Sequence, residues 1–300
     1  MTSFNNGYIS VAIAAVFWGT IGLFVKILSG MGLSVEAIVF TRLFYGALIL
    51  AVIMTLKSGN CFKVDLKGLL MMGFMGIFTQ AAFNLIYFKT IEIIGVASAA
   101  VLLYVAPVLI TILSWLIFKE VLNPFKKIGL VVCLLGAFMA ITGGHLAALH
   151  MNQKGILLGL LSAVIYAMLS ITSKIAIERY DPLTVIFYSF VFGTVAITPF
   201  VPSHDFVTLF SKLDIMALSV TMGLVPAAFA YFSYFRGLGQ KIDLSIVGII
   251  STLELLVSVL IGRLFLNESI TMLKTVGLSL IVLSIFISQY QGHKVKKSVI

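Results

Sequence analysis

Long apolar runs separated by short polar turns fill the chain from end to end. Taking runs of about 18 or more mostly apolar residues as membrane-length, we place ten, at 8–28, 35–56, 67–89, 96–118, 125–143, 155–175, 183–200, 215–236, 244–266 and 272–290. The connections are short, so the pattern predicts an all-α integral membrane bundle with antiparallel neighbours. No stretch reads as a soluble domain, and the one extended polar tail is QGHKVKKSVI at the C-terminus. The first residues, MTSFNNGY, carry no basic cluster and the run behind them is span-length. No cleaved signal peptide is expected.

Composition agrees with this pattern. The 300 residues are 61% hydrophobic and 10% charged, against about 45–50% apolar and about 25% charged in soluble domains. The net charge of +9 does not imply nucleic acid, because the Lys and Arg fall mostly in short turns, where the positive-inside bias puts them. The face that would hold both termini carries thirteen of them against six on the other, with Arg42 set aside as intramembrane. Both termini are therefore expected in the cytoplasm. Of the two cysteines, Cys61 lies in a turn and Cys133 inside a run, so no disulfide framework is implied.

The chain repeats itself. Shifted by 148, AAVFWGTIGLFVK (14–26) falls on SAVIYAMLSITSK (162–174), so Trp18 meets Tyr166 and Lys26 meets Lys174. The same shift pairs Glu120 with Glu268 and Gly129 with Gly277. Near the third run the register slips by one, and Tyr87-Phe88-Lys89 meets Tyr234-Phe235-Arg236 at 147. Two halves, 1–148 and 149–300, then hold five spans each. Five is odd, so the second half enters the membrane upside down. Inverted repeats of this kind occur in secondary transporters, with the substrate site near the midplane between the halves.

Polar residues inside the runs are the candidates for that site. Glu254 is eleventh of 22 in Leu244–Phe265, close to the bilayer midplane. A charge there costs about 2.5–3.5 kcal/mol on insertion scales, so a polar helix, water, a cation or a proton must offset it. Ser251 and Ser258 share its helix face. Trp18 with Gly22, and Tyr166 with Ser170, form matching aromatic-then-small pairs that read as two cavity walls, or as core packing. Lys26 and Lys174, further along the same faces, are expected to snorkel to the surface. Gln80, Asn84 and Tyr87 fall on one face of the third run, with Tyr231 and Tyr234 among their counterparts in the eighth. The amides read equally as substrate ligands and as interhelical bonds. The phenols suit a cation or an aromatic group. Tyr104, Pro107, Thr111 and Ser114 share a face of the fourth run, where Pro107 should kink the helix and turn Tyr104 inward. Arg42 reads as a partner of Glu36, with an anionic ligand or Glu254 as alternatives.

Gly155 and Gly159, and Ser284 and Ser288, are small-residue pairs that let helices approach closely, in a bundle core or at a dimer seam. His145 and His150 lack acidic or thiol neighbours for a metal site. No cofactor motif is present, nor a P-loop, HExxH or GxSxG.

These residues resemble a known family. FWGTIGLFVK is similar to the first-span signature of EamA-type proteins of the drug/metabolite transporter superfamily, and FTRLFYGALIL, with its early Arg42, to their second span. AAFNLIYFKTIEIIGVASAAVLLYVAPVLITILSWLIFKE resembles their third and fourth spans, ending in the family's Glu, here Glu120. TLELLVSVLIGRLFLNE resembles a Leu-Glu-Pro stretch, but Leu255 stands where the family usually has Pro, leaving open whether the ninth span bends as the fourth should. The resemblance implies ten helices as two inverted five-helix repeats, alternating access, and a bacterial plasma membrane. The expected activity is secondary transport of a small polar metabolite, best read as export of amino acids or related amines. Trp18, Gln80, Asn84, Tyr87, Tyr104, Tyr166, Tyr231 and Tyr234 would line the cavity, and Glu254 would bind a cationic group or exchange a proton. Import by the same fold, and a membrane lipid-modifying enzyme, are the alternatives. The expected partners are the substrate and the bilayer, with the chain a monomer or homodimer.

Overall fold

The computed structural model describes residues 6–57, 62–145, 149, 152–240, 242–265 and 269–290. Cys61, His150, Lys241, Glu268 and the tail residues Lys294, Lys296 and Lys297 lie outside them. Nine helical runs among the described residues are long and apolar enough to cross a membrane. One of these, Leu66–Phe118, has 53 residues, about 80 Å of helix at 1.5 Å per residue against a hydrocarbon core of about 30 Å. It turns back at Gly95, whose φ of 80° and ψ of 163° suit only glycine. That turn makes two crossings of one run and brings the total to ten.

The first crossing is α1 (Asn6–Trp18) and α2 (Ile21–Gly30), broken at Gly19 and Thr20; the second is α3 (Val35–Leu56). The third starts as α4 (Leu66–Phe74), widens into a π-helix at Met75–Ala82 and continues into α5 (Phe83–Leu103), which carries the Gly95 turn. The fourth ends as α6 (Ala106–Phe118). Crossings five to seven are α7 (Pro124–Thr142), α8 (Gln153–Ile177) and α9 (Pro182–Ile197). The next connection holds a short helix, α10 (Ser203–Ser211), that the pattern did not predict. The eighth crossing is α11 (Leu213–Met222), a π-helix at Gly223–Phe229, and α12 (Ala230–Leu238). The ninth is α13 (Leu244–Ser251) and α14 (Leu253–Phe265), and the tenth is α15 (Met272–Gln289).

Local chemistry sets where these helices begin. Ser34, Asp65, Asn123, Asn152 and Thr271 each accept a bond from the backbone N–H three residues on, capping donors the helix leaves unpaired. Asp205 of α10 ties that helix down. Its Oδ2 accepts from Ser34 N at 3.2 Å and Ser34 Oγ at 2.5 Å, at the start of α3.

Both halves carry the same irregularities. The π segments start at Met75 and Gly223, which are 148 apart, but the first has 8 residues and the second 7. The one-residue slip in the repeat is absorbed there. The fourth crossing breaks at Tyr104 and the ninth at Thr252, again 148 apart. In each, short turns replace the helical ladder: Val105 N to Leu102 O at 3.2 Å, and Thr252 N to Ile249 O at 3.2 Å. Pro107 accounts for the first break. The second needs no proline, since Thr252 Oγ1 donates to Ile249 O at 2.6 Å and Ser251 Oγ to Val247 O at 3.0 Å. Leu255 therefore does not straighten the ninth crossing.

The halves interlock about a pseudo-two-fold axis. α7 packs on α15, α3 on α9 and α6 on α13, each pairing a crossing with its own repeat. The first crossing also packs on the eighth, α1 on α12, and the third on the sixth, α5 on α8. The seam between α7 and α15 is built of small residues. A Cβ on Gly136 would lie 2.8 Å from Gly277 O, and Ser284 and Ser288 are buried there. This pair thus serves the bundle itself. Gly155 and Gly159 pack against Ile94 and Leu102.

Candidate functional site

The breaks in the fourth and ninth crossings face each other and surround Glu254. A cavity of about 10 Å³ lies between them, lined by Tyr104, Pro107, Tyr166, Gly248, Ser251, Thr252 and Glu254 among others. That is about the room for one water. Tyr104 donates its phenol proton to Glu254 Oε1 at 3.3 Å. Tyr87 and Tyr166 also lie within the field of this carboxylate, and Phe83 stacks on Tyr87 (5.7 Å) and leans on Tyr166 (5.7 Å). Glu254 forms no ion pair among the described residues. Glycine makes the approach of the first crossing possible. A Cβ on Gly19 would sit 2.7 Å from Glu254 O and 2.5 Å from Val257 Cβ.

A second cluster adjoins the first. Trp18, at the end of α1, meets the Tyr231 ring edge-on at 5.3 Å and the Tyr234 ring at 5.1 Å. Tyr231 donates to Gln80 Oε1 at 3.0 Å, and Tyr234 to Ser170 Oγ at 2.7 Å. Asn84 Nδ2 bonds Gln80 O, where the π-helix returns to α-helix. The fields of Glu254 and Tyr166 both reach Tyr231. The nine residues singled out from the sequence therefore fall in these two neighbouring clusters. The amides, however, are engaged within the protein: Gln80 in an interhelical bond and Asn84 with its own helix.

The two ends of the site differ. On the face that holds Asn6 and Glu120, all eight residues of α13 are buried. Beyond the break, only Leu255 and Gly262 of α14 are buried, and Gly22 and Ser258 are exposed. The closed end is held by a polar network that the sequence did not reveal. Glu120 accepts from Leu244 N at 2.7 Å, Ser245 N at 3.1 Å, Ser245 Oγ at 3.0 Å and Lys174 Nζ at 3.3 Å. A carboxylate placed at the start of α13 also meets the positive end of the helix dipole. Lys174 bonds Ile242 O at 3.2 Å and lies 4.7 Å over the Phe118 ring. The expectation that Lys174 snorkels to the surface is therefore wrong; Lys26 is exposed as expected. Next to this network, Lys126 pairs with Asp243 at 2.9 Å.

Arg42 also departs from expectation. It is 7% exposed and pairs with neither Glu36 nor Glu254. No cluster of three or more metal-ligating side chains occurs among the described residues.

Comparison with known proteins places this geometry. The model of the EamA-like transporter family matches the chain twice, over residues 5–142 and 153–290. An uncharacterized transporter of Archaeoglobus fulgidus is 28% identical over 94% of this chain and 96% of its own length. An uncharacterized inner membrane transporter, YicL, of Salmonella typhimurium is 26% identical over 98% of each chain. A probable terminal-alkyne amino-acid exporter of Streptantibioticus cattleyicolor is 29% identical over 46% of this chain and 45% of its own. A solved crystal structure superposes with a TM-score of 0.82, covering 98% of this chain and all of that one, at 17% identity, which speaks for the fold alone.

Proposed function

The chain belongs to the EamA-like transporter family, and on that premise we propose that it carries amino acids or related amines out of the cell by alternating access. The carrier unit is the single chain, with residues 1–148 and 149–300 as the two inverted halves. The basic residues put the Asn6 face in the cytoplasm of a plasma membrane. In that orientation the end held by Glu120 and Lys174 is the cytoplasmic one.

One observation carries this reading. Glu254 is a carboxylate inside the bundle without a cationic partner among the described residues, in a ring of phenols from Tyr87, Tyr104 and Tyr166. A negative charge among aromatic faces suits an ammonium group. Trp18, Tyr231 and Tyr234 supply the adjoining apolar wall. In the empty cycle the same carboxylate takes a proton, which couples efflux to the proton gradient. The probable exporter of Streptantibioticus cattleyicolor supports amino-acid cargo at low identity.

The test is counterflow in proteoliposomes with amino acids and their amines, measured in both directions. Glu254→Gln should abolish proton-coupled flux while the protein remains monodisperse in detergent. Unchanged flux with unchanged pH dependence refutes the role.

A further inference from the structure

Arg42 is a charge that nothing described so far uses. It sits on α3, one helical turn from Gly46, which packs against Phe190 of α9 and Ala227 of the second π-helix. The residue is 7% exposed, and its Nε is buried without a hydrogen-bond partner. Its side chain forms no ion pair with any described acid. A guanidinium cannot shed its proton to relieve that burial, and an unpaired charge inside a membrane bundle is costly. An anion beside it would offset that cost.

The surroundings say where that anion would sit. The charge of Arg42 acts on Tyr231, and so does the charge of Glu254. Tyr231 in turn touches Trp18 and Phe190 and holds Gln80. Opposite charges thus act on one phenol, and Arg42 and Glu254 form no ion pair with each other.

We infer that Arg42 binds the carboxylate of the cargo while Glu254 binds its ammonium group, so that the site selects zwitterionic amino acids over the corresponding amines. This rests on the transporter reading above and narrows it. A guanidinium fork fits a carboxylate with two parallel bonds. Losing one such contact should cost at least about tenfold in affinity.

The test uses the purified full chain and a paired panel: each α-amino acid beside the amine formed by its decarboxylation. Wild-type protein should bind at least one amino acid about tenfold or more tighter than its amine. Arg42→Gln should bring that ratio to about one without weakening the amine, and Arg42→Lys should restore part of it. Glu254→Gln should weaken the amine as well. Equal binding of each pair by the wild type, survival of the ratio in Arg42→Gln, or equal loss for both members overturns the inference. Amines that bind without preference for the zwitterion leave the transporter reading standing. Failure to bind or move either class sinks both.

Discussion

Replacing Glu120 by Gln should open the closed end of the site. The carboxylate accepts from four donors, Leu244 N, Ser245 N, Ser245 Oγ and Lys174 Nζ. Side-chain exposure is 6% for Glu120 and 18% for Lys174, so water offsets little of the loss. Bonds to charged groups contribute about 1.5–3 kcal/mol each. Removing one partner of a buried pair costs about 3–5 kcal/mol, since Lys174 keeps its charge and only Ile242 O as a bonded acceptor. If about 3 kcal/mol of this falls on the closed arrangement alone, the open population rises more than about a hundredfold. A cysteine at Val247, buried at 0% in α13, reports the change once Cys61 and Cys133 are replaced by serine. Its labelling by an impermeant thiol reagent applied to the Asn6 face should accelerate by about that factor in Glu120→Gln. Lys174→Met should act in the same direction, and the double variant should fall well short of the sum. Two results refute the reasoning: a folded Glu120→Gln protein that labels at the wild-type rate, or one that melts earlier with labelling unchanged.

Two further outcomes are expected. Asp65 accepts from the Tyr180 phenol at 2.6 Å and from Gly68 N at 2.9 Å, which holds its carboxyl below the usual carboxylate range. Its contribution is then fully present at neutral pH and is lost as pH falls below about 4. Asp65→Asn should flatten the fall in thermal stability between pH 7 and pH 3, and an unchanged slope counts against the bond. At the α7–α15 seam, Gly136→Val would drive a side chain into Gly277 O and Ile281 N, atoms that cannot step aside. It should lower stability by about 1–3 kcal/mol in reversible detergent unfolding, whereas Gly30→Ala, with open space around it, should not.

Hydrophobic pattern alone was enough for the ten crossings and nearly all their ends, because lipid forces each crossing to satisfy its own backbone. The offset of 148 and its one-residue slip were legible for the same reason, as properties of residue order. So was Glu254, since a charge in the middle of an apolar run is visible without any partner. The partners were not legible. Glu120 and Lys174 are 54 residues apart, and Tyr104 and Glu254 are 150; only packing decides that they meet. Lys174 was misplaced because snorkelling is the rule for a lysine near a helix end, and only the neighbouring α6 and α13 bring it an acid. The break at Thr252 and the two π segments answered to tertiary demands, where helix propensity is a weak guide. Whether Arg42 has a counter-charge is likewise a property of the assembled bundle. Its place inside the second span was readable from the sequence, but that it pairs with no described acid became visible only once the helices were in place.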